Sequence, residues 1–388
     1  MKHIIPFSIE RVDGLGQGVS FDPANEKVNF IPKTLPGEKG TAEVIAKKGK
    51  KVQFAKLESV TTKSPDRIDP PCIHFNQCPS CAFLHTTYEK ECELKKESYS
   101  FLFRKYFDPS DIVFTKAPRR LIYRNRIQLH YDKRQMRLGF IKDNEILPVP
   151  QCQLPHPQIQ ERMGKLYEND SWVQYVQDQP NRGHIELYLT ECDHKIYEEK
   201  EYQVSMAVNQ RYAHAGFTQV FQEMNQKIID SIDHFFLHSG LKNLANGLIL
   251  DLFGGDGNLS RSLGAPTVVV DYYTSPRLEQ NHQKFLSQNL YDSDALDQLT
   301  DYLGQNFSRD IPIQWLIIDP PRSGLKNLNE FVDQLSPEKI SYLSCNPNTQ
   351  IRDITPLLNQ GWKIDSIEFL DLFPSTHHLE SFVHLKKA

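Results

Sequence analysis

The sequence lacks any apolar run close to the roughly 20 residues that a membrane-spanning helix needs. Hydrophobic residues make up 39% of the 388 residues, an ordinary share for a globular protein. The N-terminus MKHIIPFSIERVDG holds one short apolar patch, broken by polar residues from Ser8 onward, and so lacks the core and cleavage site of a signal peptide. We therefore expect a cytoplasmic protein, and a monomer by default.

The sequence also lacks a surplus of positive charge. It carries 45 Lys and Arg against 49 Asp and Glu, a formal net charge of -4. Nucleic-acid-binding proteins usually show the opposite balance, because their cations contact phosphates. Two segments, 47–56 and 119–137, are nevertheless locally basic. A run of charges is as often a solvated face as a binding surface, so both interpretations stay open.

Cysteine is scarce, with seven residues, and in a cytosolic chain we expect no disulfides. Four cysteines, three in one loop and one distant, form a candidate metal site: Cys72, Cys78, Cys81 and Cys152. Zinc sites usually show two close pairs, whereas three clustered thiolates plus a remote one suit a [4Fe-4S] cluster. We favour the iron-sulfur cluster and keep zinc as the alternative.

The length exceeds what one hydrophobic core usually supports, and the pattern predicts three domains. Residues 1–62 read as short alternating strands between Gly, Pro and Asn turns, typical of a small OB-like β-barrel. Residues 63–205 are irregular, with a helix expected over 86–106, and indicate a small α+β domain. Residues 206–388 alternate apolar strands with helices, which predicts a doubly wound α/β domain whose mostly parallel sheet ends in an antiparallel hairpin.

A glycine-rich loop in this last region predicts a nucleotide-like cofactor. The apolar strand 247–253 runs into Gly254-Gly255-Asp256-Gly257-Asn258, and a helix is expected over 259–263. Ligands of such sheets bind beyond the carboxyl ends of the strands. The loop lacks the G-x-G-x-x-G fingerprint, and its acid would repel a pyrophosphate. The next strand ends in Asp271, placed to accept both hydroxyls of a ribose. We predict S-adenosylmethionine (AdoMet) rather than NAD, with an ordinary strand-to-helix turn as the alternative.

Two later strands end in polar segments, 319–324 and 344–348, expected at the same crevice. A cysteine in a parallel sheet is more often a core residue. Cys345, however, precedes a helix start, and a helix N-terminus lowers a thiol pKa and favours the nucleophilic thiolate. A general base would come from the tip of the C-terminal hairpin, where Glu380 is the candidate, although a lone Glu near a turn is usually solvated.

A thiolate beside a methyl donor has a chemical use on uracil. Carbon 5 of the ring is too weakly nucleophilic to take a methyl group unaided, but addition of a thiolate to carbon 6 creates an enolate with electron density at carbon 5. A base must then remove the carbon 5 proton before the thiolate leaves. The residues predict methylation of a uridine, with Cys345 as nucleophile and Glu380 as base.

The residues disfavour three other functions. A DNA cytosine-C5 methyltransferase would carry its nucleophile in a Pro-Cys segment after an earlier strand. An amino-group methyltransferase would place an aromatic residue after Asp319-Pro320-Pro321, where Arg322 stands. A non-catalytic RNA-binding iron-sulfur protein would have no need of both Cys345 and Glu380.

Four motifs in order resemble the RNA uracil-C5 methyltransferases, a class I AdoMet-dependent family that forms 5-methyluridine: D-L-F-G-G-D-G-N at 251–258, D-P-P-R-S-G at 319–324, S-C-N-P-N-T at 344–349 and F-P-S-T-H-H-L-E-S at 373–381. The resemblance implies catalytic roles for Cys345 and Glu380, supported by Asp319. It also implies a set of cofactor-binding residues: Gln219, Phe253, Gly255, Gly257, Asn258, Asp271, Asp294 and Asp319. The chain departs from the family at Gly254, where a Cys is usual, and at Phe221, where an Asn is usual.

The remaining regions resemble the branch of the family that modifies 23S rRNA. The cysteine pattern is similar to that of this branch, and residues 1–62 resemble a TRAM module, an RNA-binding barrel. The implied substrate is an unpaired or looped segment of 23S rRNA, with tRNA as the alternative. The implied RNA contacts are Tyr123, Arg124, Arg126 and Arg322.

Overall fold

The computed structural model describes residues 2–191, 202–210, 219–241, 247–273, 281–308 and 311–387. The chain divides into two compact units, which are described separately below. The first unit comprises residues 1–98, 119–213 and 373–377, and the second comprises 99–118, 214–372 and 378–388. The division into three domains stays a prediction. Over the described ranges, no helix is both long enough and apolar enough to cross a bilayer.

The N-terminal part of the first unit is a six-stranded sheet in the order β1-β5-β6-β4-β3-β2. Its strands are β1 (Ile4–Ser8), β2 (Arg11–Val12), β3 (Gln17–Asp22), β4 (Lys27–Pro32), β5 (Lys39–Lys48) and β6 (Val52–Thr62). Alternate side chains of β1 are buried, as expected where one face of a strand packs on a core. That core contains Ile5, Phe7, Ile31 and Ala42.

The first unit also holds a five-stranded antiparallel sheet in the order β10-β9-β8-β11-β12. Its strands are β8 (Arg126–Asp132), β9 (Arg137–Lys142), β10 (Glu145–Leu147), β11 (Arg182–Glu191) and β12 (Tyr202–Val208), and helix α2 spans Pro157–Tyr167. Helix α1 covers Tyr88–Phe103. One face of the sheet buries Ile127, Leu129 and Leu187, while the alternating side chains, such as His130, lie on the other.

The second unit is built on an eight-stranded sheet in the order β15-β14-β13-β16-β17-β19-β18-β7. Its strands are β7 (Val113–Thr115), β13 (Leu248–Leu252), β14 (Thr267–Asp271), β15 (Gln283–Ser287), β16 (Ile313–Ile318), β17 (Lys339–Ser344), β18 (Trp362–Leu370) and β19 (Glu380–Lys387). Its helices are α3 (Gln222–His238), α4 (Ala295–Asn306), α5 (Leu328–Leu335) and α6 (Pro347–Asn359).

Neighbouring strands from β15 to β17 run parallel, and β19 lies antiparallel between β17 and β18. Strand β13 is buried along its whole length, as is usual for a parallel strand covered on both faces. The predicted fold class is thereby confirmed. The strand order reverses at β13, which lies between β14 and β16, and ligands of open α/β sheets bind at such a switch point.

One sequence expectation is wrong in this region. The segment after the glycine loop was expected to continue as a helix over 259–263, but the structure has only a short 3-10 turn at Arg261–Leu263. The turn ends at Gly264, whose φ of 63° is left-handed, and Pro266 follows two residues later. Proline disfavours the helical conformation at the residue before it, so the helix cannot continue through Ala265 and the chain enters β14 almost at once.

Candidate active site

The glycine loop lies at the carboxyl end of β13 and wraps around Asp271. Phe253, Gly255 and Gly257 all have positive φ values, of 61°, 57° and 76°. The turn brings the amide of Gly255 to the carboxylate of Asp271, with N to Oδ2 at 3.1 Å. The amide of Tyr273 donates to Oδ1 at 2.9 Å. Each oxygen keeps a lone pair, so Asp271 can still accept hydrogen bonds from a ligand.

The two departures from the family pattern fit the local packing. A Cβ at Gly254 would lie 2.7 Å from Cγ of Asp251 and 2.8 Å from Cγ1 of Val269. A side chain at 254 therefore requires the buried strands around it to move. Phe221, directly before α3, is fully buried and fills space in the core of the unit.

Asn258 is held by a residue that the sequence did not single out. Its side-chain nitrogen donates to Oδ1 of Asn225 at 2.9 Å, and the nitrogen of Asn225 donates back to Oδ1 of Asn258 at 3.2 Å. Asn225 lies in the first turns of α3. The pair fixes the orientation of the Asn258 amide, and it arises from helix packing that sequence spacing does not reveal.

Phe253 packs against a second residue that sequence reasoning missed. Its ring centroid is 5.4 Å from that of Tyr291. The Tyr291 hydroxyl lies 2.9 Å from Oγ of Ser323 and donates to the carbonyl of Gly324 at 3.1 Å. Tyr291 thus connects the glycine loop with the segment 319–324.

Three carboxylates share the crevice. Burial, followed by the neighbouring Asp271, raises the pKa of Asp251 to about 7 although Ser260 donates a hydrogen bond to it at 2.6 Å. Burial, followed by Asp251 and then Asp271, likewise raises the pKa of Asp319 to about 7. The acids that repel one another here favour a ligand carrying positive charge.

Cys345, Glu380, Asp319 and Arg322 form one interacting group. Burial raises the pKa of the Cys345 thiol to about 11, and the next largest cause is the carboxylate of Glu380. Arg322 opposes the rise, both by its charge and by a hydrogen bond to the thiol. The pKa of the buried Glu380 is raised well above its usual value by burial, then by Asp319, and lowered by Arg322. The predicted nucleophile and the predicted base are far apart in the sequence, but they lie close together in the structure.

The expectation that the helix N-terminus lowers the pKa of Cys345 is wrong, because the surroundings of the thiol have the opposite effect. The thiol does precede α6, whose N-cap residue is Asn346. A lowered pKa was expected, but the sulfur is more than half-buried and faces carboxylates, so its pKa is raised instead.

Hydrogen bonds tie the three loops of this group together. The carbonyl of Arg322 accepts from Asn346 Nδ2 and from Thr349 Oγ1, each at 3.2 Å. The buried Gln350 donates to the carbonyls of Tyr342 at 2.6 Å and Ser381 at 3.0 Å. These contacts hold the ends of β16, β17 and β19 in register, so the reactive side chains have fixed backbone supports.

The two remaining predicted cofactor residues, Gln219 and Asp294, lie next to helices α3 and α4. Gln219 is half-buried before α3, while Phe217 and Thr218 of its motif lie outside the described residues. Asp294 is exposed at the start of α4, where its carboxylate accepts a hydrogen bond from Gln298 at 2.6 Å. Among the described residues, the Asp294 carboxylate hydrogen-bonds within α4 and makes no hydrogen bond to the glycine loop.

The residues predicted to contact RNA in the first unit are mostly structural. Tyr123 is only 3% exposed, and its hydroxyl donates to the carbonyl of Pro374 at 3.2 Å, so it is not available to RNA. Arg126 is largely covered and lies 3.9 Å from the carboxylate of Glu186. Arg124 lies near the cysteine loop, where its charge lowers the pKa of Cys152. In the second unit, Arg322 is exposed and its guanidinium lies 3.1 Å from Nε2 of His378.

The four predicted metal ligands line one small cavity of the first unit: Cys72, Cys78, Cys81 and Cys152. Burial raises the pKa of Cys152 to about 11, and the other cysteines add to the rise. Over the described ranges, however, no three His, Cys, Asp or Glu side chains converge as metal ligands do. The four thiols therefore line one cavity without converging on a metal position, and the iron-sulfur cluster stays a prediction.

The fold is that of the class I AdoMet-dependent methyltransferases. The structure aligns with the crystal structure of the Pyrococcus abyssi tRNA (uracil-54, C5)-methyltransferase in complex with S-adenosyl-L-homocysteine, with a TM-score of 0.62 over 99% of this chain and 100% of that chain. Sequence identity in this alignment is 18%, so the likeness concerns the fold.

Sequence comparison finds relatives among the RNA uracil-C5 methyltransferases. Residues 287–388 match the family model described as tRNA (Uracil-5-)-methyltransferase. The chain is 27% identical to the 23S rRNA (uracil(1939)-C(5))-methyltransferase RlmD of Vibrio vulnificus, over 98% of this chain and 95% of that protein. It is 25% identical to the protein of the same name from Shewanella woodyi, over 97% and 94% of the two chains. The resemblance seen in the motifs is confirmed, because the chain is similar over almost its whole length to RNA uracil-C5 methyltransferases.

Proposed function

We propose that this protein transfers a methyl group from AdoMet to carbon 5 of a uridine in RNA, and that its substrate is 23S rRNA. The names of the relatives support the reaction and the substrate. The observation that carries the proposal is the grouping of Cys345, Glu380 and Asp319. Asp319 and Cys345 follow the carboxyl ends of the parallel strands β16 and β17, and Glu380 begins β19, which pairs antiparallel with β17.

The crevice fits AdoMet in charge and shape. Gly255 and Gly257 turn the backbone with positive φ, and Asp271 offers oxygen acceptors for ribose hydroxyls. Oδ1 of the buried Asp251 has no hydrogen-bond partner among the described residues, so the crevice holds an acceptor that the protein itself leaves unused. When bound, AdoMet supplies an electrophilic methyl group on a positively charged sulfur. Carboxylates around it stabilise that charge.

The chain's own residues supply the rest of the reaction. The Cys345 thiolate adds to carbon 6 of the uracil, and the electron pair of the ring double bond moves to carbon 5 as an enolate. Once carbon 5 carries the methyl group, it also holds its original proton. Glu380 accepts that proton, the ring double bond re-forms, and the sulfur of Cys345 departs as a thiolate.

Charge couples cofactor binding to this chemistry. In the ligand-free protein burial raises the pKa values of both Cys345 and Glu380, which disfavours the charged form of each group. A cation bound beside them favours their charged forms. The nucleophile is therefore activated chiefly when the methyl donor is in place, with Arg322 stabilising the thiolate throughout.

The cysteine loop is proposed to hold a [4Fe-4S] cluster, with zinc as the alternative. Four thiols line one cavity, and the amine of Lys33 donates to the carbonyl of Cys78 at 3.0 Å and to that of Phe75. A half-buried amine beside four cysteines would offset the negative charge of a cluster. Anaerobically purified protein should be brown with about four irons per chain; colourless protein that contains zinc would favour the alternative.

The residues 1–62 and the five-stranded sheet are proposed to bind the RNA. A uridine must leave its stack to reach Cys345, which costs a few kcal/mol. Contacts made elsewhere on the RNA have to offset this cost, and an unpaired segment lowers it.

A methylation assay tests the proposal. The protein is incubated with AdoMet and either 23S rRNA or tRNA, each purified from cells that lack the enzyme, and nucleosides from the digested RNA are identified by mass spectrometry. We expect 5-methyluridine in 23S rRNA and none with Cys345→Ala. Product in tRNA alone would move the assignment to the alternative substrate, and absence of product in both would overturn it.

A further inference from the structure

The outer face of the five-stranded sheet contains a cavity that the proposed reaction does not use. His130 on β8 and His184 on β11 are cross-strand partners. Their rings lie edge to face, with centroids 6.2 Å apart and an angle of 60° between planes. Together with neighbouring residues of β9 and β10 they enclose about 270 Å³. The opposite face of these strands is the buried one, so the cavity opens toward solvent.

The lining combines a flat ring surface with unused hydrogen-bonding groups. The ring of His130 is half-buried, and Ile141, which is 53% exposed, forms an apolar wall. The amides of Gln135 and Asn144 also line the cavity. Among the described residues neither side-chain amide has a hydrogen-bond partner, and the His130 ring has its only aromatic contact with the ring of His184. An amide offers both donors and an acceptor, which is what the edge of a nucleobase requires.

The surroundings are positively charged, although the whole chain has a net charge of -4. Five cations lie on the hairpin and its neighbour: Lys133, Arg134, Arg137, Lys142 and Arg182. Three carboxylates accompany them: Asp132, Asp143 and Glu145. Arg182 is paired with Asp132 at 2.6 Å, yet its side chain is 69% exposed, so one edge of the guanidinium remains open. This excess of cations suits a phosphate backbone.

Size separates a nucleobase from other occupants. Pockets for drug-sized molecules begin at about 300 Å³, and this cavity is slightly smaller. An extended apolar groove, as a peptide helix would need, is not what these residues form. A single planar base stacked on His130 and against Ile141 satisfies the apolar wall, the amides and the local charge at once.

We propose that this cavity binds one unpaired nucleobase of the RNA substrate. The base stacks on His130, its edge is recognised by Gln135 and Asn144, and the adjoining phosphate is met by Arg182. The proposal rests on the proposed function in one respect, that the ligand is RNA. It gives the locally basic segment 119–137 a role that Tyr123 and Arg126 do not fill.

Fluorescence of a short single-stranded RNA carrying 2-aminopurine tests the cavity in the full-length protein. Binding should quench the fluorescence, because the base stacks on a ring. His130→Ala and Asn144→Ala should each weaken binding, His130→Ala by about fivefold or more, since stacking on an aromatic ring contributes about 1–3 kcal/mol per base. Gln128→Ala is the matched control, because Gln128 is exposed on the same strand outside the cavity, and it should bind within about twofold of wild type.

Two readouts separate this proposal from the proposed function. Covalent trapping of RNA containing 5-fluorouridine reports the chemistry at Cys345 independently. If trapping occurs while both cavity variants bind and quench as wild type does, the cavity proposal is overturned and the methylation stands. If the cavity variants weaken binding but no trapping occurs, the cavity proposal stands and the proposed methylation is overturned. Asn144 lies at an exposed turn, so its variant folds even if His130→Ala does not.

Discussion

The acidity of the Cys345 thiol gives the sharpest quantitative prediction. A pKa of about 11 in the ligand-free protein means that only about one molecule in a thousand carries the thiolate at pH 8, since the fraction falls tenfold per pH unit below the pKa. Only the thiolate reacts with iodoacetamide. The rate of Cys345 alkylation should therefore rise about tenfold for each pH unit between pH 7 and pH 10.

Substitutions nearby should move this profile in opposite directions. Glu380→Gln removes the carboxylate that is the second cause of the raised pKa, so alkylation at fixed pH should become faster. Arg322→Met removes the opposing cation and the hydrogen bond to the thiol, so alkylation of Cys345 should become slower. Glu338→Gln, at an exposed position after α5, is the control and should leave the profile unchanged.

Mass spectrometry of the peptide that contains Cys345 separates its alkylation from that of other cysteines. Addition of AdoMet should shift the profile to lower pH, whereas S-adenosylhomocysteine, which lacks the sulfonium charge, should shift it less. A profile that levels off near pH 7 without any ligand would refute the reasoning. So would an unchanged rate in both Glu380→Gln and Arg322→Met.

Four further outcomes are expected. Asn225→Ala removes two hydrogen bonds to Asn258 and should weaken S-adenosylhomocysteine binding by about tenfold; calorimetry showing wild-type affinity would contradict the positioning role. Gly254→Ala should lower stability by about 1–3 kcal/mol because of the clash with Asp251, whereas Gly304→Ala, in an open stretch of α4, should not, as measured by denaturant unfolding. The folded pKa of Asp251 is raised to about 7 from 3.8, so its contribution to stability is complete below pH 3.8 and is lost as the pH rises through 7. As the pH rises from about 4 to 7, the unfolding free energy of the wild type should therefore fall relative to that of Asp251→Asn. A difference that stays constant with pH would count against the raised pKa. Finally, Glu380→Gln should accumulate a covalent adduct with ordinary RNA, visible on a denaturing gel, because the carbon 5 proton stays; free turnover in this variant would exclude Glu380 as the base.

The parallel sheet could be predicted because its strands carry their own signal. Segments such as Leu248–Leu252 and Ile313–Ile318 are continuous apolar runs that end in polar residues, and the structure places strands there. Cys345 and Glu380 were accessible for the same reason. Cys345 follows β17, and Glu380 begins β19, whose antiparallel pairing with β17 brings its first residues to the same edge of the sheet.

Residues that act through tertiary packing could not be predicted. Asn225 reaches Asn258 only because α3 packs beside the glycine loop, and Tyr291 reaches Phe253 from the segment after β15. No local spacing encodes either contact. The errors at Cys345 and Tyr123 have a common origin: the acidity of one and the burial of the other are set by what surrounds the side chain, which a motif does not specify.

Covalent capture of RNA that contains 5-fluorouridine tests the central claim most directly. Fluorine at carbon 5 leaves no proton for Glu380 to remove after methyl transfer, so the bond from sulfur to carbon 6 should persist. We predict a methylated protein-RNA adduct that survives denaturation and maps to Cys345. Absence of the adduct in the wild type, or its survival in Cys345→Ala, would contradict the account.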